Sequence, residues 1–149
     1  MEIHAEKRVR AGADRVFDVF ANVTKIEERI PGITSVELLS EGPVGSGFRW
    51  RETRKMLGKD ATEEMWIDEY QPSRRYTVRA HSHGTAYLST YDFETVGDET
   101  LVRMTFSGTP ETMGAKILGG LLGWMGKGMV KKMLQADMDA LASVIESES

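Results

Sequence analysis

Apolar and polar residues alternate along most of the chain between Ile33 and Ser107, in segments that short turns separate. Period-two alternation is typical of β-strands that bury one face. Connections of only a few residues, rich in glycine and proline, join neighbouring antiparallel strands. We therefore predict an antiparallel meander of six strands, which are Ile33–Ser40, Phe48–Met56, Ala61–Tyr70, Arg75–His83, Ala86–Val96 and Leu101–Ser107.

One strand and two short helices are predicted ahead of the meander. Ile3–Val9 alternates as a half-buried strand. The segment Asp14–Phe20 places apolar side chains at helical spacing and begins with an acidic residue. Thr24 and Glu27 form a capping-box pattern, so a second short helix is expected to begin at Thr24 and to end before Pro31.

A long helix is predicted after the meander. Thr109 is a typical N-cap, Pro110 suits the first helical position, and the helix would run toward Ile145. A twisted sheet with one apolar face must cover that face, and only this helix has a matching length. The predicted fold is α+β, with a curved antiparallel sheet of about seven strands wrapped around the C-terminal helix and space for a ligand between them.

Several stretches of this chain are similar to one known superfamily. They are Ala13–Phe17 (ADRVF), Ile30–Ile33 (IPGI), Gly45–Phe48 (GSGF), Glu69–Arg75 (EYQPSRR) and the long C-terminal helix. On these motifs the chain resembles the START-like, birch-pollen-allergen-like helix-grip superfamily, often labelled SRPBCC, and most closely its polyketide cyclase/dehydrase branch. The resemblance implies one ligand-binding domain over residues 1–149. It also implies an internal cavity for a small hydrophobic molecule that is lipid-like, aromatic or polyketide-like. It transfers no catalytic residue, and no cofactor is expected.

The strand faces that point toward the helix supply most of the predicted ligand-binding residues. Trp50 shares one face of its strand with two charged residues, and the apolar Phe48 and Met56 extend that face, which should therefore point inward. Aromatic and hydroxyl side chains alternate in the same way on later strands, where they could orient a ligand. From the strands the predicted residues are Trp50, Glu52, Arg54, Val78, Tyr87, Ser89, Tyr91, Met104 and Phe106.

Two charged residues, Glu52 and Arg54, are therefore predicted at or near an apolar cavity. Buried charges are costly unless they are paired. One interpretation is a polar anchor or an acid/base group, with Tyr91 as a further catalytic candidate. The other is a structural ion pair, which we favour because such pairs are common. The facing of the strand Ala61–Tyr70 stays open, because Trp66 conflicts with a simple alternation.

No metal site is predicted. His81 and His83 lie on one face of a strand and could begin such a site. Tyr76, Val78 and Ala80 define the opposite, apolar face, so both imidazoles are expected to point to solvent. A third ligand is also missing from the pattern.

The segment MGAKILGGLLGWMGKGMVKKML, from Met113 to Leu134, combines apolar residues with many glycines. One apolar stripe on the helical wheel consists of Ile117, Leu118, Leu121 and Met125. The stripe on roughly the opposite side consists of Leu134, Met138, Leu141 and Ile145. We predict a kink, break or register change near Gly126–Gly128, with the preceding half as a hinged cover of the cavity. The alternative is a continuous core helix. The segment's predicted ligand-binding residues are Leu118, Leu121, Met125 and Met129.

Composition narrows the function classes. The formal net charge of −4 argues against a nucleic-acid-binding protein. Lys116 and Lys127 interrupt the apolar segment, so it is not predicted to cross a membrane. The chain has no cysteine, and its first residues do not resemble a signal peptide, so we expect a cytoplasmic protein.

Three function classes remain open. The leading one is binding of a small hydrophobic molecule, and the second is a cyclase/aromatase-type enzyme that transfers protons with Glu52, Arg54 or a cavity tyrosine. The third is docking of the Met/Gly/Lys-rich segment on a partner or a membrane surface, which the sequence does not favour. The sequence establishes neither turnover nor an oligomeric state.

Overall fold

The computed structural model describes residues 2–56, 58–118 and 126–148. The strands in these ranges are β1 (Glu2–Val9), β2 (Ile33–Leu38), β3 (Arg49–Met56), β4 (Lys59–Gln71), β5 (Arg75–Ser82), β6 (Thr85–Val96) and β7 (Glu99–Pro110). The helices are α1 (Ala13–Ala21), α2 (Ile26–Arg29), α3 (Met113–Leu118) and α4 (Lys127–Ser147), with a 3-10 turn at Val23–Lys25.

All seven strands form one antiparallel sheet in the order β1-β7-β6-β5-β4-β3-β2. The six strands of the meander pair in chain order, because short turns bring each strand back beside the previous one. β1 adds to the end of the meander by pairing with β7 along its whole length. The predicted α+β helix-grip architecture is confirmed.

The sheet curves around α4 and contacts it from both sides. On β1, the carbonyl oxygen of Glu6 accepts a hydrogen bond of 3.2 Å from the Gln135 side chain of α4. On β3, the Arg54 side chain pairs with Asp137 of α4. Four strands separate β1 from β3 in the sheet, so contacts at both places require a curved sheet. The buried stripe of α4 is Val130, Leu134, Met138, Leu141 and Ile145.

Two helix starts differ from their predicted positions. Thr109 and Pro110 belong to β7, where Pro110 pairs with Thr85 at the end of the ladder with β6, a position that tolerates proline. Asn22, rather than Thr24, caps the 3-10 turn before α2 by accepting the Thr24 amide hydrogen bond. Glu27 is not available for a capping box, because its carboxylate accepts the amide hydrogen of Val36 at 2.7 Å.

The long helix begins at Lys127, close to the predicted interruption. Gly126 precedes it with a φ of +82°, a conformation that glycine adopts readily and that is incompatible with a right-handed helix. Residues 119–125, in the middle of the hypothetical cover, lie outside the described part of the chain. None of the described helices is both long and apolar enough to cross a membrane.

Candidate ligand-binding cavity

A cavity of about 130 Å³ lies between the concave face of the sheet and helix α4. Strands β3 to β7 supply one wall, and α4 supplies the facing wall through Leu134, Met138 and Leu141. Aromatic rings shape the sheet side, where Tyr76 stacks on Tyr91 with centroids 4.6 Å apart. Apolar side chains dominate the wall, and the charged groups among them are few and closely grouped.

The nine residues predicted from the strand pattern all line this cavity. They are Trp50, Glu52, Arg54, Val78, Tyr87, Ser89, Tyr91, Met104 and Phe106. The four predictions from the glycine-rich segment have a different outcome. Met129 is not part of the cavity wall and is 43% exposed, because it lies one helical position away from the buried Val130. Leu121 and Met125 lie outside the described residues, as does the side chain of Leu118.

Three charged side chains form a cluster at the cavity wall. The Arg54 guanidinium donates two parallel hydrogen bonds to the Asp137 carboxylate, of 3.1 and 2.8 Å. Its Nη2 also approaches Glu52 Oε2 at 3.6 Å. The indole Nε1 of Trp50 donates to Glu52 Oε1 at 3.3 Å. The pairing of Glu52 and Arg54 on the cavity side thus agrees with the sequence prediction, with α4 as an additional partner.

Asp137 is a cavity residue that the sequence reasoning missed. It lies three residues after Leu134 and four residues before Leu141, so it belongs to the buried stripe of α4. An acidic residue on an apolar helical stripe is a signal for a buried partner, because an unpaired buried carboxylate is costly. That signal does not identify Arg54, which lies 83 residues earlier.

Strand β4 contributes a second missed carboxylate. Glu63 and Met65 line the cavity, whereas Trp66 faces the outside, with the Arg49 guanidinium 4.7 Å from its ring. This cation–π contact explains why a tryptophan occupies the outer face. Glu63 lies directly opposite Glu52 in the ladder between β3 and β4.

Burial shifts the pKa values of the carboxyl groups in the cavity wall upward. Burial raises the pKa of Glu52, although Arg54 and the Trp50 hydrogen bond act in the opposite direction. Burial also raises the pKa of Asp137 against the effect of Arg54, and it raises the pKa of Glu63 against its hydrogen bond from Ser82. The pKa of the Tyr91 hydroxyl is raised by burial and by the nearby carboxylates, so this phenol stays neutral. The Tyr91 hydroxyl is therefore a neutral hydrogen-bond donor in the cavity wall.

We expect the substitution Glu52→Gln to raise the free energy of unfolding. The increase relative to the wild-type protein should be larger at about pH 8 than at about pH 5. Because the pKa of Glu52 is raised in the folded state, its proton stabilises that state at low pH. This contribution is lost as the pH rises through the raised pKa, and glutamine has no proton to lose. Urea unfolding of both proteins at the two pH values measures the difference. A stability difference that does not change with pH would contradict the prediction.

A curved antiparallel sheet that grips a long helix and encloses a cavity defines the helix-grip class of proteins. The chain belongs to the family described as polyketide cyclase / dehydrase and lipid transport, whose model matches residues 1–146. The family resemblance stated from the sequence is confirmed. Comparison with curated proteins returns no match.

Solved structures share this fold over essentially the whole chain. A protein from Thermus thermophilus is 20% identical, with a TM-score of 0.81 and coverage of 100% of this chain and 99% of that one. An aromatase/cyclase from a Streptomyces species is 20% identical, with a TM-score of 0.76 and coverage of 98% and 93%. Norcoclaurine synthase from Thalictrum flavum, in complex with dopamine and hydroxybenzaldehyde, is 18% identical, with a TM-score of 0.76 and coverage of 100% and 88%. At these identities the likeness is one of fold.

Proposed function

We propose that the protein binds a small hydrophobic molecule, with an aromatic body of about one ring, in the cavity between the sheet and α4. The observation that carries the proposal is an apolar cavity of about 130 Å³ with a buried polar cluster in its wall. An apolar cavity of about 150 Å³ holds benzene in another protein, so the volume suits one ring. The family, whose description includes lipid transport, binds small hydrophobic ligands, which agrees with this reading.

Five methionines of the cavity wall provide a direct test. They are Met56, Met65, Met104, Met133 and Met138. In protein with isotope-labelled methionine methyl groups, benzyl alcohol should shift the NMR signals of these residues in a saturable manner. Met113 and Met129 are exposed and serve as internal controls whose signals should not move. Equal shifts at controls and cavity residues, or no shifts at all, would contradict cavity binding.

A matched pair of variants on β6 sharpens the test. Ser89→Phe places a ring inside the cavity and should weaken benzyl alcohol binding about tenfold or more, since the ring occupies the ligand volume. Thr90→Phe places the same ring on the opposite face of the strand and should retain the affinity. Native mass spectrometry of freshly purified wild-type protein would then search for the natural ligand.

A second candidate function is proton transfer to or from a carbonyl ligand. It is favoured by the raised pKa of the cavity residue Glu52, since a protonated carboxyl group there can donate a proton to a carbonyl oxygen. The neutral Tyr91 hydroxyl can orient the same oxygen by a hydrogen bond. Conversion of a linear poly-β-ketone by the wild-type protein but not by Glu52→Gln would favour this candidate over binding alone. The cytoplasmic location expected from the sequence stays a prediction.

A further inference from the structure

The charged groups of the cavity wall do not balance. Among the described residues that line it, three carboxylates (Glu52, Glu63 and Asp137) face one guanidinium (Arg54), and neither lysine nor histidine is present. With all four groups ionised the wall carries a net charge of −2, three negative charges against one positive. A surplus of negative charge is unusual in an apolar cavity, because each unpaired carboxylate there is costly.

Arg54 cannot neutralise the surplus. Its two terminal nitrogens are both engaged by Asp137 at hydrogen-bond distance, which makes these two residues a neutral pair. Glu52 receives only the longer 3.6 Å approach of the same guanidinium. Glu52 is 7% exposed, and its Oε2 accepts no hydrogen bond from the residues that the structure describes. One cavity-facing carboxyl oxygen, Glu52 Oε2, is therefore left to accept a hydrogen bond from a ligand.

Glu63 adds to this surplus from the neighbouring strand. It lies directly opposite Glu52, and like charges at opposite positions of a ladder destabilise a sheet. On its other side Glu63 lies near Ser82, which acts to lower its pKa, and the Ser82 hydroxyl is 2.9 Å from Nδ1 of the exposed His83. That imidazole does not line the cavity. Lys55, the nearest lysine along β3, is 60% exposed and approaches Asp60 instead.

We infer that the natural ligand carries a positively charged amine on its apolar body, and that the ammonium group binds between Glu52 and Glu63. This inference rests on the proposed function, because it assigns chemistry to the same cavity. An ammonium donates three hydrogen bonds, which Glu52 Oε2 and the Glu63 carboxylate can accept. The stacked rings of Tyr76 and Tyr91 line the same cavity and can take the apolar body or face the cation.

The inference also explains the raised pKa values of the carboxyl groups. Burial opposes ionisation of Glu52 and Glu63, and the positive charge of Arg54 compensates this effect only in part. A bound ammonium would supply that compensation and would lower both pKa values. A carboxylate ligand would add a further negative charge, and a neutral ligand would leave the imbalance unchanged.

Three probes with the same ring test this idea. Benzylamine is cationic at neutral pH, benzyl alcohol is neutral and benzoate is anionic. In the methionine-methyl titration, benzylamine should bind about tenfold or more tightly than benzyl alcohol, because its hydrogen bonds to the carboxylates are charge-assisted. Benzoate should bind more weakly than both. The preference for benzylamine should decrease as the pH falls, since the carboxylates then become protonated.

Variants that remove one carboxylate each test whether the preference for benzylamine comes from Glu52 and Glu63. Glu52→Gln and Glu63→Gln should each reduce the ratio of benzylamine to benzyl alcohol affinities toward one. Glu64→Gln is the matched control, because Glu64 is the next residue on β4 and is exposed on the outer face beside Arg49. It should leave the ratio unchanged.

The outcomes separate the two proposals. If benzyl alcohol shifts the cavity methionines and benzylamine binds no more tightly, the cation inference is overturned while cavity binding stands. If none of the three probes shifts the cavity methionines, the proposed function itself fails and the inference fails with it. A preference for benzylamine that Glu64→Gln removes and Glu63→Gln retains would show surface attraction and would also overturn the assignment.

Discussion

Arg54→Met should lower the free energy of unfolding by about 3–5 kcal/mol, because it leaves buried carboxylates without their cation. The guanidinium forms a bidentate pair with Asp137 and approaches Glu52, and the Arg54 and Asp137 side chains are 11% and 17% exposed. Methionine is similar in length and apolar, so the variant removes the charge with little change in packing. Urea unfolding with circular dichroism detection measures the loss.

A control on the same strand separates burial from charge. Arg51 also pairs with a carboxylate, Glu37, but its side chain is 44% exposed on the outer face. Arg51→Met should therefore cost less than about 1 kcal/mol, as exposed ion pairs do. The double variant Arg54→Met, Asp137→Leu should recover part of the loss, because it removes a partner charge together with the cation. If Arg54→Met costs no more than Arg51→Met, the cluster is not a stabilising network.

The fold could be predicted from sequence because its main signals are local. Period-two alternation and short turns define the antiparallel meander, and helical spacing from Leu134 to Ile145 defines the stripe that the sheet covers. Alternation also assigns the nine strand residues to the cavity wall, since successive side chains of a strand point to opposite faces of the sheet. Pro110 shows the limit of such signals, because pairing with Thr85 at the end of β7 overrides its helical preference.

The charged cluster could be predicted only in part, because its partners are distant in sequence. Glu52 and Arg54 lie two residues apart on one strand, so the sequence shows that their side chains share one face of it. Asp137 joins them only when the sheet wraps α4, and no local pattern encodes that contact. The facing of Glu63 could not be predicted, because Trp66 interrupts the alternation of apolar and polar residues on β4. Trp66 occupies the outer face of this strand through its contact with Arg49. A strand-by-strand analysis of the sequence therefore misses residues that join the site only because the sheet curves around α4.

Helix α1 packs against an aromatic residue of the cavity wall, and this arrangement links stability to the site. Tyr76, which lines the cavity, donates a hydrogen bond from its hydroxyl to the Phe20 carbonyl oxygen of α1 at 3.1 Å. Phe17 of the same helix packs edge-on against Tyr76, with ring centroids 5.7 Å apart. It makes similar contacts with Tyr70 at 5.3 Å and Phe93 at 5.1 Å. Phe17 thus contacts three rings of an aromatic cluster that includes the cavity residue Tyr76.

Phe17→Ala should lower the free energy of unfolding by about 3–5 kcal/mol, the usual cost of removing a fully buried phenylalanine. Phe17 is 1% exposed, so the lost ring leaves a void beside three aromatic partners. Asp18→Ala, at the next and exposed position of α1, is the control and should change stability by less than about 0.5 kcal/mol. Because Tyr76 loses its support, Phe17→Ala should also weaken benzyl alcohol binding in the methionine-methyl titration, whereas Asp18→Ala should not. Loss of stability with unchanged ligand affinity would show that Tyr76 is held by the Phe20 hydrogen bond and its stacking on Tyr91 alone.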